Sequence, residues 1–287
     1  MTAEQTSLGE NSISEGYGIM TAEQSLYLRI PCLHEHAFDG RSHRDVSRDG
    51  IMTEQKNRKK KGEADMAFHL IDMEKWERRE HYHYYRDLLK VRYNLNVNVD
   101  ITELLAQVKE QKLKFYPVFI YIIMRAVNQN REMRMQTDSE GRLGYWDECH
   151  PSYTIFHPDD KTFSDIWTEY SPDFTTFYRA AVRDMEEYRD VKGVKAKPGR
   201  PDNFCAVSCV PWLSFTGYAS DTYSDSPMLF PVVLFGRYFE ENGRILLPLG
   251  IAVNHAAADG YHSCRLLNDI KEIAGTIRLP QNVKGEQ

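Results

Sequence analysis

Regular spacing of apolar residues begins only after residue 66 of this chain. Upstream, short polar pieces follow one another with neither helical nor strand periodicity. From Asp72, which can cap a helix, Trp76, Arg78, Tyr82 and Tyr85 recur at helical spacing and predict a helix through about Leu89. Arg78 and Tyr85 are seven positions apart, so they share a face. Asn96 to Ile101 alternates as a strand does, and Ile101 to Glu110 reads as a short helix. Pro117 suits the first turn of a long apolar helix. Ser171-Pro172 opens another, with Phe174, Phe177, Ala181 and Met185 as its buried stripe. Further on the pattern turns to strands at Cys205 to Val210, Val232 to Phe239 and Ile245 to Val253. The last two are joined by Asn242-Gly243, a strong hairpin signal. A final helix over about Tyr261 to Ala274 turns Leu266, Leu267, Ile270 and Ile273 inward and stops at Gly275. Residues 66–287 thus read as one α/β domain.

Composition narrows the class. Of 287 residues, 41% are hydrophobic and 27% charged, which excludes wholesale disorder and a fibrous repeat. A net charge of −6, from 36 basic and 42 acidic residues, argues against a protein that coats nucleic acid or an anionic membrane. The five cysteines are odd in number and scattered, so a disulfide framework is not expected and a reducing compartment is. The best apolar run, Phe115 to Met124, is ten residues long and contains Pro117, against the roughly 20 that cross a bilayer. The expectation is a cytoplasmic protein.

Residues 1–65 read as a disordered tail or as translation begun upstream of the domain. Met1-Thr-Ala-Glu-Gln recurs at Met20 and, imperfectly, at Met52, too irregularly for a solenoid. The basic residues Lys56 and Arg58 to Lys61 read as solvated charge. Cys32, His34, His36 and His43 lack any recognised ligand spacing, so no metal is expected there.

The segment with chemistry in it is Asn254-His255-Ala-Ala-Ala-Asp259-Gly260-Tyr261-His262, between an almost wholly apolar strand and a helix. An imidazole at a strand end can serve as a general base near neutral pH. Small residues let the chain turn tightly, and Asp259 can cap the helix or pair with a cation. Taken alone, His-x-x-x-Asp-Gly also describes a hydrogen-bonded structural histidine.

Five motifs in order decide between these. They are Trp76-Glu-Arg78-Arg79-Glu80, Lys114-Phe-Tyr-Pro117, Tyr153-Thr-Ile-Phe156 with Thr162-Phe-Ser164, Val207-Ser208-Cys-Val-Pro211-Trp212, and His255-x-x-x-Asp259-Gly260. Over residues 66 to about 275 the chain resembles the type A chloramphenicol acetyltransferases. The resemblance implies a coenzyme A dependent acyltransferase fold, a mixed sheet flanked by helices, assembled as a homotrimer with active sites at the subunit interfaces. It implies acetyl-coenzyme A as co-substrate, no metal, and transfer of acetyl to a hydroxyl of chloramphenicol.

By the same resemblance His255 is the general base and Ser208 the donor to the tetrahedral oxyanion. Asp259 and Arg78 form an ion pair that holds the catalytic loop, and the imidazole is oriented by its own backbone carbonyl. Tyr85, Tyr93 and Phe163 line the acceptor pocket. Lys114, Tyr116 and Tyr238 lie near coenzyme A, with Arg237 a further candidate for local positive charge. The strand's alternation puts Ser208 on the face opposite Cys205 and Cys209, which read as packing residues.

Departures from the family pattern gather near the pocket. Asn254 replaces a usual histidine, Leu234 a usual threonine and Arg237 a usual lysine, and Tyr218-Ala-Ser-Asp221 replaces a more apolar stretch. The alternative reading is therefore an acyltransferase of the same fold acting on another small hydroxyl compound. A third is a trimeric binding protein that keeps the pocket, which the joint presence of His255 and Ser208 disfavours.

Overall fold

Two sheets organise the residues described by the computed structural model, 67–221 and 228–283. In chain order the first elements are β1 (Phe68–Leu70), α1 (Arg79–His83), β2 (Arg92–Asp100), α2 (Thr102–Glu110) and α3 (Phe115–Gln129). Next come β3 (Met135–Thr137), β4 (Leu143–Trp146), β5 (His150–His157), β6 (Thr162–Trp167) and α4 (Phe174–Glu187). The last are β7 (Phe204–Val210), β8 (Val232–Gly236), β9 (Phe239–Glu241), β10 (Arg244–Asn254) and α5 (Gly260–Thr276). The larger sheet runs β2-β10-β8-β7-β5-β6 with β9 also on β10, and it is mixed: β5–β7 and β7–β8 are parallel, the other pairs antiparallel. The smaller, β1-β4-β3, is antiparallel throughout.

Alternation sorts the large sheet into a helix-covered face and an open one. Val207, Val233, Ile251 and Leu95 form one row across four strands and join α3, α4 and α5 in the main core. The adjacent row, Ser208, Leu234, Gly250 and Asn96, lies on the opposite face. Ser208 is therefore on the side away from the buried Cys205, and the two cysteines of that strand have thiols pushed up by burial.

A segment after β7 crosses this open face. It passes where two glycines leave room: a Cβ on Gly236 would sit 2.6 Å from the Leu213 carbonyl oxygen, and one on Gly250 2.9 Å from the Tyr218 ring. The Asn96 side chain then grips the Tyr218 backbone in both directions, accepting from its N–H at 2.9 Å and donating to its carbonyl at 3.1 Å. Asn94 accepts from the Ser220 N–H at 3.2 Å.

Several expected boundaries move, each for a local reason. The helix expected from Asp72 begins at Arg79: Asp72 instead closes a turn, its carboxylate accepting from the Glu74 N–H and its carbonyl from the Lys75 N–H. Past His83 that helix widens into a π turn, Tyr84–Leu88. The strand expected to reach Phe239 stops at Gly236, because the Arg237 N–H is taken by the crossing Leu213 carbonyl. The last helix runs through Gly275 to Thr276. The Asn242-Gly243 hairpin forms as expected, with φ of 52° and 74°, the left-handed pair that such a tight turn needs. Strands β5 and β6 and the small sheet carried no clear period in the sequence.

A smaller core of Trp76, Tyr82, Met135, Leu143, Leu229, Ala256 and Ala257 joins α1 and the small sheet to the loop after β10. The repeated motifs and the Cys/His cluster of the N-terminal 65 residues lie outside the described residues.

Candidate active site

Strand β10 ends at Asn254 and delivers His255 into a five-residue loop before α5. The three alanines of this loop are fully buried, so it is packed like core and not like a surface turn. The Ala257 and Ala258 N–H groups fold back onto the Asn254 carbonyl at 3.1 and 3.2 Å, while the Asn254 side chain accepts from the Ala256 N–H.

Arg78, at the N-cap position of α1, anchors the loop from one side, chiefly through backbone. It donates to the carbonyls of Ala257 at 2.5 Å, Ala256 at 3.3 Å and His255 at 3.4 Å. Its contact with Asp259 is looser, with Nε 3.6 Å from Oδ2, and that Nε is buried without a hydrogen-bond partner. The closest partner of Asp259 is His262, whose Nδ1 lies 2.8 Å from Oδ1. Asp259 also caps α5 by accepting from the Tyr261 N–H. Burial alone would raise its carboxyl, but His262 and Arg78 outweigh that and hold it below the usual carboxylate range.

The His255 ring is fixed by aromatic contact. Tyr85 stacks on it with centroids 3.6 Å apart, and Tyr93 meets it at 5.0 Å and 58°. The expected bond from the ring to its own carbonyl is not formed: Nδ1 is buried with no partner, and that carbonyl accepts from Arg78 instead. The Tyr93 hydroxyl ties down the far end of the loop through Ser263 Oγ at 2.6 Å and the Ala258 carbonyl at 3.3 Å. Burial lifts its pKa to about 12.

The other expected residues gather elsewhere in the chain. Ser208 shares a 3.4 Å contact with Thr154 Oγ1 on β5. Phe163 on β6 pairs with Phe156, whose ring meets Trp212 at 4.8 Å. Tyr116 in the first turn of α3 donates to the Thr154 carbonyl at 3.0 Å, and burial raises its hydroxyl pKa well above the ordinary value. Lys114 is exposed at the cap of the same helix, and Tyr238 lies edge-on to Phe115 at 6.1 Å.

Register separates the two groups. Ser208 faces Leu234 and Leu234 faces Gly250, so Ser208 is two strands from β10 and level with a residue five positions before His255. At about 4.8 Å between strands and 3.3 Å per residue, that is about 19 Å. Arg78, Tyr85 and Tyr93 touch His255 or its loop, which Asp259 closes, whereas Phe163 shares the open face with Ser208. Lys114, Tyr116 and Tyr238 lie around the start of α3, on the helix-covered side of the same sheet.

Sequence reasoning passed over Ser263, Thr154, Glu132 and the role of His262. Only His262 left a trace, as the third residue after the cap, where a helix commonly carries Glu or Gln. Among the described residues no group of three or more His, Cys, Asp or Glu is arranged to hold a metal ion, and no helix is long and apolar enough to cross a membrane.

This geometry has relatives. A family model described as chloramphenicol acetyltransferase matches residues 66–271. A chloramphenicol acetyltransferase of Clostridium perfringens is 43% identical over 209 residues, which span 73% of this chain and 95% of that protein. One from Clostridium butyricum is 41% identical over 209 residues, again 73% of this chain and 95% of the relative. Among solved structures, a chloramphenicol acetyltransferase aligns with a TM-score of 0.65 at 22% identity, covering 72% of this chain and 100% of its own. The dihydrolipoamide acetyltransferase of Azotobacter vinelandii shares the fold more distantly, with a TM-score of 0.51 at 15% identity over 65% of this chain and 82% of that one. The match over most of both chains decides the matter: the chain belongs to the chloramphenicol acetyltransferase family.

Proposed function

We propose that this enzyme transfers an acetyl group from acetyl-coenzyme A to a hydroxyl of chloramphenicol, with His255 as general base, in the cytoplasm. The observation that carries the reading is the setting of His255. Its ring is clamped by Tyr85 at a strand end, on a loop held by Arg78 through three successive carbonyls. An alcohol is a weak nucleophile at neutral pH, and a fixed imidazole that accepts its proton removes that obstacle. Residues 66–287 form the acetyltransferase domain.

The first turn of α3 fits an anionic co-substrate. It carries no acidic residue, and Lys114 is exposed at its cap. Lys114, Tyr116 and Tyr238 would hold acetyl-coenzyme A, which supplies an acetyl group already activated as a thioester, so no acyl-enzyme is required. Ser208 donates its hydroxyl hydrogen to the oxygen on which charge gathers as the acceptor adds.

The separation of about 19 Å between Ser208 and His255 in one chain supports an active site shared between copies. We take the assembly to be a closed homotrimer, each interface joining the His255 group of one chain to the Ser208 group of the next. Tyr85 and Tyr93 then wall one side of the acceptor pocket and Phe163 the other.

Steady-state kinetics with acetyl-coenzyme A and chloramphenicol test the roles. His255→Ala is expected to lower kcat by about 10²–10⁴-fold. Ser208→Ala is expected to lower it by about 10²–10³-fold with little change in KM. Normal turnover by His255→Ala would overturn the mechanism. Transfer to another hydroxyl compound, with chloramphenicol inert, would favour the alternative acceptor.

A further inference from the structure

The loop that carries His255 is pinned at its far end by a residue outside the expected ion pair. Asp259 meets Arg78 only at 3.6 Å, but His262 Nδ1 lies 2.8 Å from its other carboxylate oxygen. An ionised carboxylate only accepts, so Nδ1 carries a hydrogen and donates it. With Nδ1 donating, the Asp259 N–H 3.3 Å away finds no lone pair on that atom. His262 therefore differs from the Glu or Gln usual at this helix position, which accepts from the cap's backbone N–H.

The other edge of the imidazole points to a second carboxylate. Nε2 lies 3.8 Å from Glu132 Oε1, beyond hydrogen-bond reach, so the link between them is one of charge, present when the imidazole carries both ring hydrogens. Glu132 is buried, only 8% exposed, in the turn that follows α3. Its Oε2 accepts from Arg265 Nη2 at 2.5 Å, and Arg265 Nε donates to Asn130 Oδ1 at 2.5 Å. Asn130, fully buried, donates in turn to Asp269 at 2.7 Å. Arg131 is the remaining charge on Glu132, 3.8 Å from Oε1, and the Tyr261 ring meets the His262 ring edge-on at 5.5 Å. A chain of contacts thus runs from the catalytic loop through one imidazole to a buried acid that is itself fixed to α5 and to the end of α3.

We propose that His262 is a positioning residue for acetyl transfer, coupling Asp259, and with it the His255 loop, to the buried Glu132–Arg265 pair. The inference rests on the reading of His255 as base. A base must sit within hydrogen-bond reach of the acceptor hydroxyl, and small displacements are costly there. Arg78 holds the start of the loop by hydrogen bonds, and the charge contact of His262 with Glu132 ties its end to a different part of the core.

Two substitutions separate this role from simple helix capping. His262→Gln supplies an ordinary capping residue but breaks the bridge to Glu132, and Glu132→Gln keeps a side chain that Arg265 can reach while removing the charge. Each is expected to lower kcat about tenfold, with the KM of either substrate changed by less than about twofold. The double variant is expected to lose no more than either single one, because both changes break the same link. Wild-type kcat in His262→Gln would overturn the proposal, as would losses that multiply in the double variant. So would failure of both variants to fold, since the network would then hold the fold and not the loop. His255→Ala measured alongside keeps the readings apart. An active His255→Ala enzyme overturns the base, whereas an inactive one beside a wild-type His262→Gln enzyme overturns only the present inference.

Discussion

The Tyr85 ring lies almost parallel to the His255 imidazole, with centroids 3.6 Å apart and planes 10° apart. With Nδ1 lacking a hydrogen-bond partner, the stack takes over the orienting work that a hydrogen bond to the ring would do. Aromatic pairs of this kind contribute about 0.5–1.5 kcal/mol beyond simple burial. Tyr85→Phe should keep the stack and leave kcat near wild type. Tyr85→Ala should lower kcat by a few-fold to about tenfold, because the ring gains freedom to leave its working plane. Equal kcat in the two variants would show that the stack orients nothing.

Asp259→Asn can still cap α5, since asparagine caps as well as aspartate, but it loses its charge toward His262 and Arg78. In the folded chain the Asp259 carboxyl sits below its ordinary value. Its pairing therefore contributes stability above about pH 4, and that contribution is lost as pH falls through the lower folded value. The variant should melt below wild type at pH 7, and the gap should close on acidification below about pH 4. Melting curves across that range check it. A gap that persists unchanged at low pH would mean that charge is not the cause.

Tyr93→Phe should leave the fully buried Ser263 hydroxyl without its 2.6 Å partner. An orphaned buried hydroxyl costs about 1–3 kcal/mol. Adding Ser263→Ala removes the orphan and should restore most of the lost melting temperature. The Tyr93 hydroxyl titrates at about 12 in the folded chain, against about 10 when exposed. Its contribution is present below about pH 10 and declines as pH rises toward the folded value. Tyr93→Phe should lack that alkaline decline.

If each active site takes His255 from one chain and Ser208 from another, two inactive variants should rescue each other. Denaturing His255→Ala and Ser208→Ala chains together and refolding them in equal amounts should give about one quarter of wild-type activity, because one site in four receives both intact residues. Either variant refolded alone should stay inactive. A mixture no more active than its parts would contradict the shared site.

What could be read in advance follows the physics of each signal. Strand β10 and helices α3, α4 and α5 were legible because burying one face imposes a period that survives in the residues themselves. Strands β5 and β6 were not. Their polar residues, such as Ser152, His157 and Ser164, are buried beside polar partners across the β5–β6 pair, Ser152 with Asp165 and His157 with Ser164, so no apolar alternation marks them. Helix α1 was placed too early because Trp76 is buried by the small core and not by a helical stripe.

The site shows the same division. Motif order singled out His255, Ser208 and Arg78, whereas the preference of Asp259 for His262 at 2.8 Å over Arg78 at 3.6 Å is a matter of side-chain geometry that spacing cannot express. Ser263 and Glu132 contribute only through side chains more than 100 positions apart in partnership, Tyr93 with Ser263 and Glu132 with Arg265, and neither pair forms a local pattern.

The attachment of the crossing segment by Asn94 and Asn96 bears on how the enzyme can change. Both amides read the backbone of Tyr218 and Ser220, not their side chains. These backbone bonds stay available whatever side chains stand at 218 and 220, although the Tyr218 ring also packs toward Gly250 and Asp221 bears on Arg92. Side chains beside the open sheet face can thus be exchanged by drift or selection while the strap that presents them stays seated. The two asparagines on β2 seat the strap by its backbone, at Tyr218 and Ser220.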